Sequence, residues 1–253
     1  MVCEIDGDSK SSNRGAEVKF TLAPIQYGRR RIQTGSKYEG TLSASFKVCK
    51  CPELYDENHM AITGEEFRAL ERWLNRREFL WFHSYDHCNP EIEGAWFRAT
   101  FTLSKYEIGG VTYAVEMDMQ TDSPFGYGDE HMDVVRFSGE DMTHSVLDMN
   151  DEIGAFYPDV RIQCLQMGDL TLTNETTGST FSVDHCSVNE IIEQHGEAMI
   201  LTTSLPDTHD IANDFNYEWF VLKNSYAERE NIITASLPCE LTIKYRPIIK
   251  ETI

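Results

Sequence analysis

The sequence predicts a mainly β protein with one principal helix, divided into two domains. Three observations carry that expectation. Residues 111–121 (VTYAVEMDMQT) alternate behind a Gly109-Gly110 pair, the pattern of an antiparallel hairpin with one buried face. Residues 64–77 hold the clearest helical signal. From 134 onward the chain reads as short strand-like pieces separated by turn formers, which implies a β-sandwich.

Taken in order, residues 1–15 are polar and are expected to be a flexible N-terminus. A strand-like stretch follows at 16–23. Residues 25–40 carry turn formers and the basic run Arg29-Arg30-Arg31, and 41–49 alternate as a strand does. In the helix, Thr63 is the expected N-cap and Glu66 its capping-box partner three residues on. Phe67, Leu70, Trp73 and Leu74 share one face, expected on a sheet, while Arg68, Arg72, Arg76 and Arg77 occupy the rest. Residues 78–85 and 96–108 read as strands. Val111, Tyr113, Val115, Met117 and Met119 are expected to face one way, and Glu116, Asp118 and Gln120 the other. Trp73, Trp81 and Trp96 are expected in the core between helix and sheet. Pro124 ends the hairpin. The later strands are placed near 134–138, 160–166, 169–173, 180–184, 197–203, 215–223, 231–236 and 239–246. The acidic stretch 139–152 is read as a loop.

Composition narrows the function. The 253 residues suit one large or two ordinary domains. The net charge of −20 is uneven: residues 1–129 hold 15 Lys/Arg and 20 Asp/Glu (−5), and residues 130–253 hold 7 and 22 (−15). So acidic a chain is a poor nucleic-acid binder, because phosphate affinity rests on Lys and Arg. It is equally unsuited to anionic membranes. The N-terminus MVCEIDGDSK lacks the basic start and apolar run of a signal peptide, and no apolar run approaches membrane-spanning length, about 20 residues. Seven cysteines, an odd number, are expected as reduced thiols.

The best metal candidate is Cys49-x-Cys51 with His83, His87 and Cys88, since zinc accepts both residue types. C-x-C is a loose match to a zinc knuckle, so ordinary thiols are the preferred reading and no cofactor is expected. His185-Cys186 with Asn189 makes a weak nucleophile candidate, and Asp207, Asp210 and Asp214 do not fit a calcium-loop spacing. Acidic pairs such as Asp129-Glu130 and Asp151-Glu152 are ordinary in so acidic a chain. No nucleophile elbow, P-loop or H-E-x-x-H occurs, so no catalytic residue is assigned.

One helix, a hairpin closing in T-D-S-P-F, and an all-β second half form a recognisable order. Its pieces are ITGEEFRALERWLNRREFLWF (62–82), MQTDSPFGYG (119–128), GDLTLTNETTGSTFSV (168–183), DFNYEWFVLKNSYAERENIIT (214–234) and CELTIKYRPII (239–249). In these the chain resembles the distal tail proteins (Dit) of long-tailed, siphovirus-like phages. Two departures stand out: Glu230 precedes the Asn231-Ile-Ile-Thr element where the family often has Gly, and Val188-Asn189-Glu190 stands where it often has Asn-Gly-Glu.

The resemblance implies a ring-forming hub domain at 16–128 and a galectin-like β-sandwich at 132–253. It implies a virion structural protein of the tail tip, assembled in the host cytoplasm. Six copies would form a ring joining the tail tube to the tail tip or baseplate. Its partners would be itself, the tail tube protein, a tail-tip hub protein, and tape-measure and receptor-binding proteins, with DNA only as passing cargo. In such a ring Arg29, Arg30 and Arg31 are candidates for salt bridges to the neighbouring copy, against the plainer reading of a solvated loop. The competing expectation is a carbohydrate-binding β-sandwich protein.

Overall fold

The protein is described by a computed structural model covering residues 16–25, 30–38, 40–52, 54–56, 59–84, 94–225 and 227–250. The expected flexible N-terminus lies outside these residues. The described chain divides into two compact units, one running to Tyr127 and including Lys250, the other spanning Gly128–Ile249.

In the first unit, β1 (Val18–Pro24) and β2 (Arg31–Tyr38) pair as an antiparallel hairpin, Val18 opposite Tyr38 and Pro24 opposite Arg31. The reading of 25–40 as turn formers therefore misses β2. Most of its side chains are exposed, so the in-out alternation of a half-buried strand is missing from the sequence. A second sheet holds β3 (Ser43–Cys49), β4 (Leu80–Ser84), β5 (Ala95–Ile108), β6 (Val111–Thr121) and β7 (Gly126–Tyr127). β6 lies between β3 and β5. β4 takes the opposite edge of β5, and β7 meets β5 through Trp96 and Tyr127.

Helix α1 (Gly64–Leu74) starts where its caps place it. The Glu66 N–H donates to Thr63 Oγ1 at 3.2 Å, and the Thr63 N–H donates to Glu66 Oε2 at 2.7 Å. It stops at Asn75, whose backbone leaves helical geometry, so Arg76 and Arg77 lie beyond it. Phe67 is buried, and with Leu70 and Leu74 it packs against Phe97, Phe101 and Met119. Thr63→Ala should lower the stability of this unit by about 1 kcal/mol, read as a lower thermal midpoint.

Two expectations fail here for identifiable reasons. Tyr106 pairs with Ala114 but Glu107 with Thr112, so Tyr113 is an extra residue in β6. That bulge shifts the phase of the strand. Thr112 and Ala114 turn inward, Val111 and Tyr113 outward, and Val115 and Met119 regain the core. The tryptophans do not form the core: Trp73 is 67% exposed and Trp81 47%, and phenylalanines fill the space instead.

The second unit is a two-sheet sandwich. Its strands are β8 (His131–Phe137), β9 (Thr143–Leu147), β10 (Gly154–Phe156), β11 (Asp159–Cys164), β12 (Gly168–Asn174), β13 (Ser179–Cys186), β14 (Ile191–His195), β15 (Ile200–Thr203), β16 (Leu222–Asn224), β17 (Glu230–Ala235) and β18 (Cys239–Tyr245). One sheet runs β15-β14-β11-β18-β8 and the other β13-β12-β17-β9, with β10 and β16 as a separate ribbon. Phe137, Ile162, Leu170, Leu172, Phe181 and Ile243 are among the residues filling the core between them. The expected all-β second half is present. The acidic loop expected at 139–152 contains β9, β14 falls where no strand is expected, and the long strand expected at 215–223 is only β16. A short helix α2 (Ile211–Asp214) also interrupts the strands.

Candidate functional site

The motif residues of the sandwich are first of all structural ties. Glu190 is 1% exposed. Its carboxylate accepts from the Ser187 N–H at 2.7 Å and from the Thr203 hydroxyl, and it pairs with His209 Nδ1. Burial alone would raise its pKa. The hydrogen bonds from Ser187, Thr203 and His209 outweigh that and hold it below the usual carboxylate range. His209 Nε2 lies 3.3 Å from Asp214, whose other oxygen is 3.2 Å from His185 Nδ1. Asp214 therefore keeps His185 protonated to higher pH than usual.

Asn231 is fully buried and makes four hydrogen bonds. Its oxygen accepts from Asn174 Nδ2 and the Lys223 N–H, and its amide donates to the Lys223 and Arg229 carbonyls. Tyr245 donates to the Leu147 carbonyl and accepts from the Met149 N–H, while Arg246 donates to the Gly128 carbonyl. Burial pushes the Tyr245 hydroxyl up to about 12.

The chemical candidates do not converge. Cys49 pairs with Ala114, which pairs with Tyr106, whereas His83 pairs with Trp96. Ten residues of β5 separate those positions, roughly 34 Å at 3.4 Å per residue, with three strand spacings between β3 and β4. The described part of the zinc candidate is thus split between opposite ends of the sheet. His87 and Cys88 lie outside the described residues. His83 instead stacks on Trp96, with ring centroids 4.4 Å apart. Cys186 is buried, and its hydrogen bond with Cys164, together with burial, raises its thiol far above the normal range, opposite to what a nucleophile needs. Of the calcium candidates, Asp214 faces two imidazoles and Asp210 accepts from Asn213. Among the described residues no helix is long and apolar enough to cross a membrane.

What the first unit offers is surface. On the β1–β2 hairpin, Phe20 is 58% exposed, Ile32 53%, and Leu22 and Ile25 are exposed as well. A two-stranded ribbon is marginal on its own. This one is tied down at its base, where the Tyr38 ring meets Phe125 edge-on at 4.7 Å. The T-D-S-P-F element sets that contact. Thr121 bonds Leu42 in both directions, Asp122 pairs with Arg98 at 3.2 Å, and the Ser123 hydroxyl accepts from the Phe125 N–H. Arg30 and Arg31 lie exposed at the start of β2, and Arg29 is outside the described residues. The second surface is a groove of about 370 Å³ along α1, lined by Val48, Ile62, Ala69, Leu70 and Trp73 among others. Sequence reasoning missed both surfaces. The signal was available in Phe20, Leu22 and Ile32, apolar residues for which the surrounding pattern supplies no burying face.

Comparison with known proteins places this architecture among viral tail proteins. Residues 1–123 match the family model described as phage tail protein N-terminal domain, and residues 125–245 match the phage tail C-terminal domain. The chain belongs to this family of two-domain phage tail proteins. Among solved structures it is similar to the Dit protein (gp 19.1) of SPP1, described as a paradigm of the hub adsorption apparatus in phages infecting Gram-positive bacteria. That similarity has a TM-score of 0.61 at 14% identity and covers 97% of this chain and 93% of the other. The chain therefore has the fold of a phage distal tail protein. No curated protein matches it in sequence.

Proposed function

We propose that this phage tail protein is the structural hub of a siphovirus-like tail tip. Six copies close a ring, through the N-terminal hub domain, that joins the tail tube to the tip or baseplate. The C-terminal sandwich, read as galectin-like, faces receptor-binding or side proteins. The tail tube protein and a tip protein are the axial neighbours, tape-measure protein and DNA pass through the channel, and the chain performs no catalysis. The chain would assemble in the host cytoplasm and end in the virion.

One observation carries the self-association: each copy projects a basic, apolar hairpin from an otherwise acidic chain. Residues 18–38 hold five Lys/Arg and no Asp/Glu, so the remainder of the −20 chain sums to −25. Unlike surfaces of this kind meet head to tail, and head-to-tail contacts close into a ring when the rotation between copies closes. An acidic channel wall would repel DNA and let it slide. A strongly basic wall would contradict that part of the reading. Antibodies raised against the chain should label virions at the end of the tail distal to the head. Labelling along the shaft or at the head junction would contradict the placement. The carbohydrate-binding alternative rests on the sandwich fold alone, and fold does not carry function.

A further inference from the structure

We infer that the loop at 148–152 of the C-terminal unit is a calcium site, with the Asp148 carboxylate as its buried anchor and Glu152 as its second charged ligand. The loop lies wholly within that unit, so the inference stands apart from the ring reading.

Asp148 is a buried charge with one side left open. The residue is 0% exposed. Its Oδ1 accepts two bonds from Asn150, from the backbone N–H at 2.8 Å and from Nδ2 at 2.7 Å. Its Oδ2 is shielded from solvent and accepts no hydrogen bond. The neighbouring Asn224 amide favours the charged form a little, but its Nδ2 is donated to the Asn150 carbonyl at 3.0 Å. Arg229 contributes through its charge and lies 3.5 Å from Asp151. The Tyr245 hydroxyl, pushed up in part by the Asp148 charge, is held between the Leu147 carbonyl and the Met149 N–H. Burial outweighs these groups and raises the Asp148 carboxyl above its ordinary range. A buried oxygen in this position is completed by a proton, a water or a cation.

The surroundings favour the cation, and calcium among cations. The loop reads Asp148-x-Asn150-x-Glu152, the alternation of oxygen-bearing side chains that opens a calcium loop. Glu152 Oε2 is also shielded from solvent. The glycine falls at 154 rather than directly after the third side chain, so the loop is not a copy of the EF-hand. Among the described residues no three His, Cys, Asp or Glu side chains converge. That disfavours zinc and leaves a hard ion whose shell main-chain carbonyls and water complete. Calcium takes about six to eight oxygens in irregular geometry, whereas magnesium demands a near-ideal octahedron and keeps its own waters. The loop is also braced against the end of the sandwich. Asn150 Oδ1 accepts from the Ile248 N–H at 2.6 Å, and the Asp151 N–H donates to the Ile248 carbonyl at 2.9 Å. Calcium held by this loop would therefore stiffen the place where the sandwich closes.

The test is calorimetric titration and thermal unfolding of the chelator-treated full chain, with calcium chloride and with magnesium or sodium chloride at matched ionic strength. One calcium per chain should bind, and about 10 mM should raise the midpoint of the C-terminal transition by roughly 5 °C or more. Magnesium and sodium should do much less. Asp148→Asn removes a buried charge, so without calcium it should unfold no earlier than the wild type, and its calcium response should vanish. Glu152→Gln, at a partly exposed position, should weaken calcium binding roughly tenfold or more. Equal stabilisation by magnesium that persists in Asp148→Asn would mean screening of an acidic surface, and would overturn the site. A wild type that ignores calcium and matches Asp148→Asn in stability would overturn it in favour of a protonated Asp148. A calcium response lost in Asp148→Asn but unchanged in Glu152→Gln would overturn Glu152 as the second ligand.

Discussion

Glu190→Ala is expected to cost the C-terminal unit about 3–5 kcal/mol, enough to unfold a domain of ordinary stability. The carboxylate is buried and holds three donors: the Ser187 N–H, the Thr203 hydroxyl and the His209 ring. Truncation leaves all three without their acceptor in a site too enclosed for easy hydration. His209 loses the partner on one side of its ring and keeps only Asp214 on the other.

The pH dependence has a definite sign. The folded-state pKa of Glu190 is depressed, so its contribution is fully present above the unfolded carboxylate value. It is lost as pH falls through the lower folded value. Asp148, raised by burial, titrates with the opposite sign. The quantity to measure is therefore the difference in urea midpoint between wild type and Glu190→Ala from pH 7 down to pH 3. It should be large at neutral pH and shrink toward the acid end. A difference that is small at pH 7, or that grows in acid, would contradict the assignment.

Asn231→Ala should cost about 3 kcal/mol, the second large effect. Four hydrogen bonds end on this one buried amide, and two of their partners are backbone groups of Lys223. Removing the side chain orphans two donors and two acceptors at once, each worth about 1 kcal/mol or more when unsatisfied. Asn174 shares the network, donating to both Asn231 and the Val221 carbonyl. A double-mutant cycle between Asn174 and Asn231 in equilibrium urea unfolding should show a coupling of about 0.5–3 kcal/mol. Additive effects would mean that the two amides act separately.

These two residues also show what the sequence made legible. The resemblance rests on short motifs, and in the structure those motifs are devices for holding the fold. Thr63 and Glu66 cap the helix, Ser123 and Phe125 fix the hairpin base, Asn231 ties β17 to β12 and β16, and Tyr245 with Arg246 closes the sandwich. One apparent departure is physically conservative. Asn189 has φ of 64°, in the left-handed region. There Gly is the easiest residue and Asn a tolerated one, so Val188-Asn189-Glu190 keeps both the turn and the carboxylate of Asn-Gly-Glu.

The remaining misreadings share a cause: local patterns are blind to what lies across the chain. The alternation at 111–121 contained no sign of the Tyr113 bulge, which is a relation between two strands. Trp73 carries the helix period that points to the core, yet phenylalanines from β4 and β5 take the space. β2 was hidden because neither of its faces is buried within the chain. Trp73 and the hairpin, expected as core and as loop, are instead exposed apolar groups of the first unit.

The central claim is that this phage tail protein works by forming a ring of copies. Electron microscopy of the purified full chain across a concentration series, with native mass spectrometry to look for a species of about 174 kDa, six times 29.0 kDa, tests it most directly. The account predicts annular particles with six-fold class averages and an open central channel. Particles of single-chain size at every concentration, or closed oligomers without a channel, would contradict it.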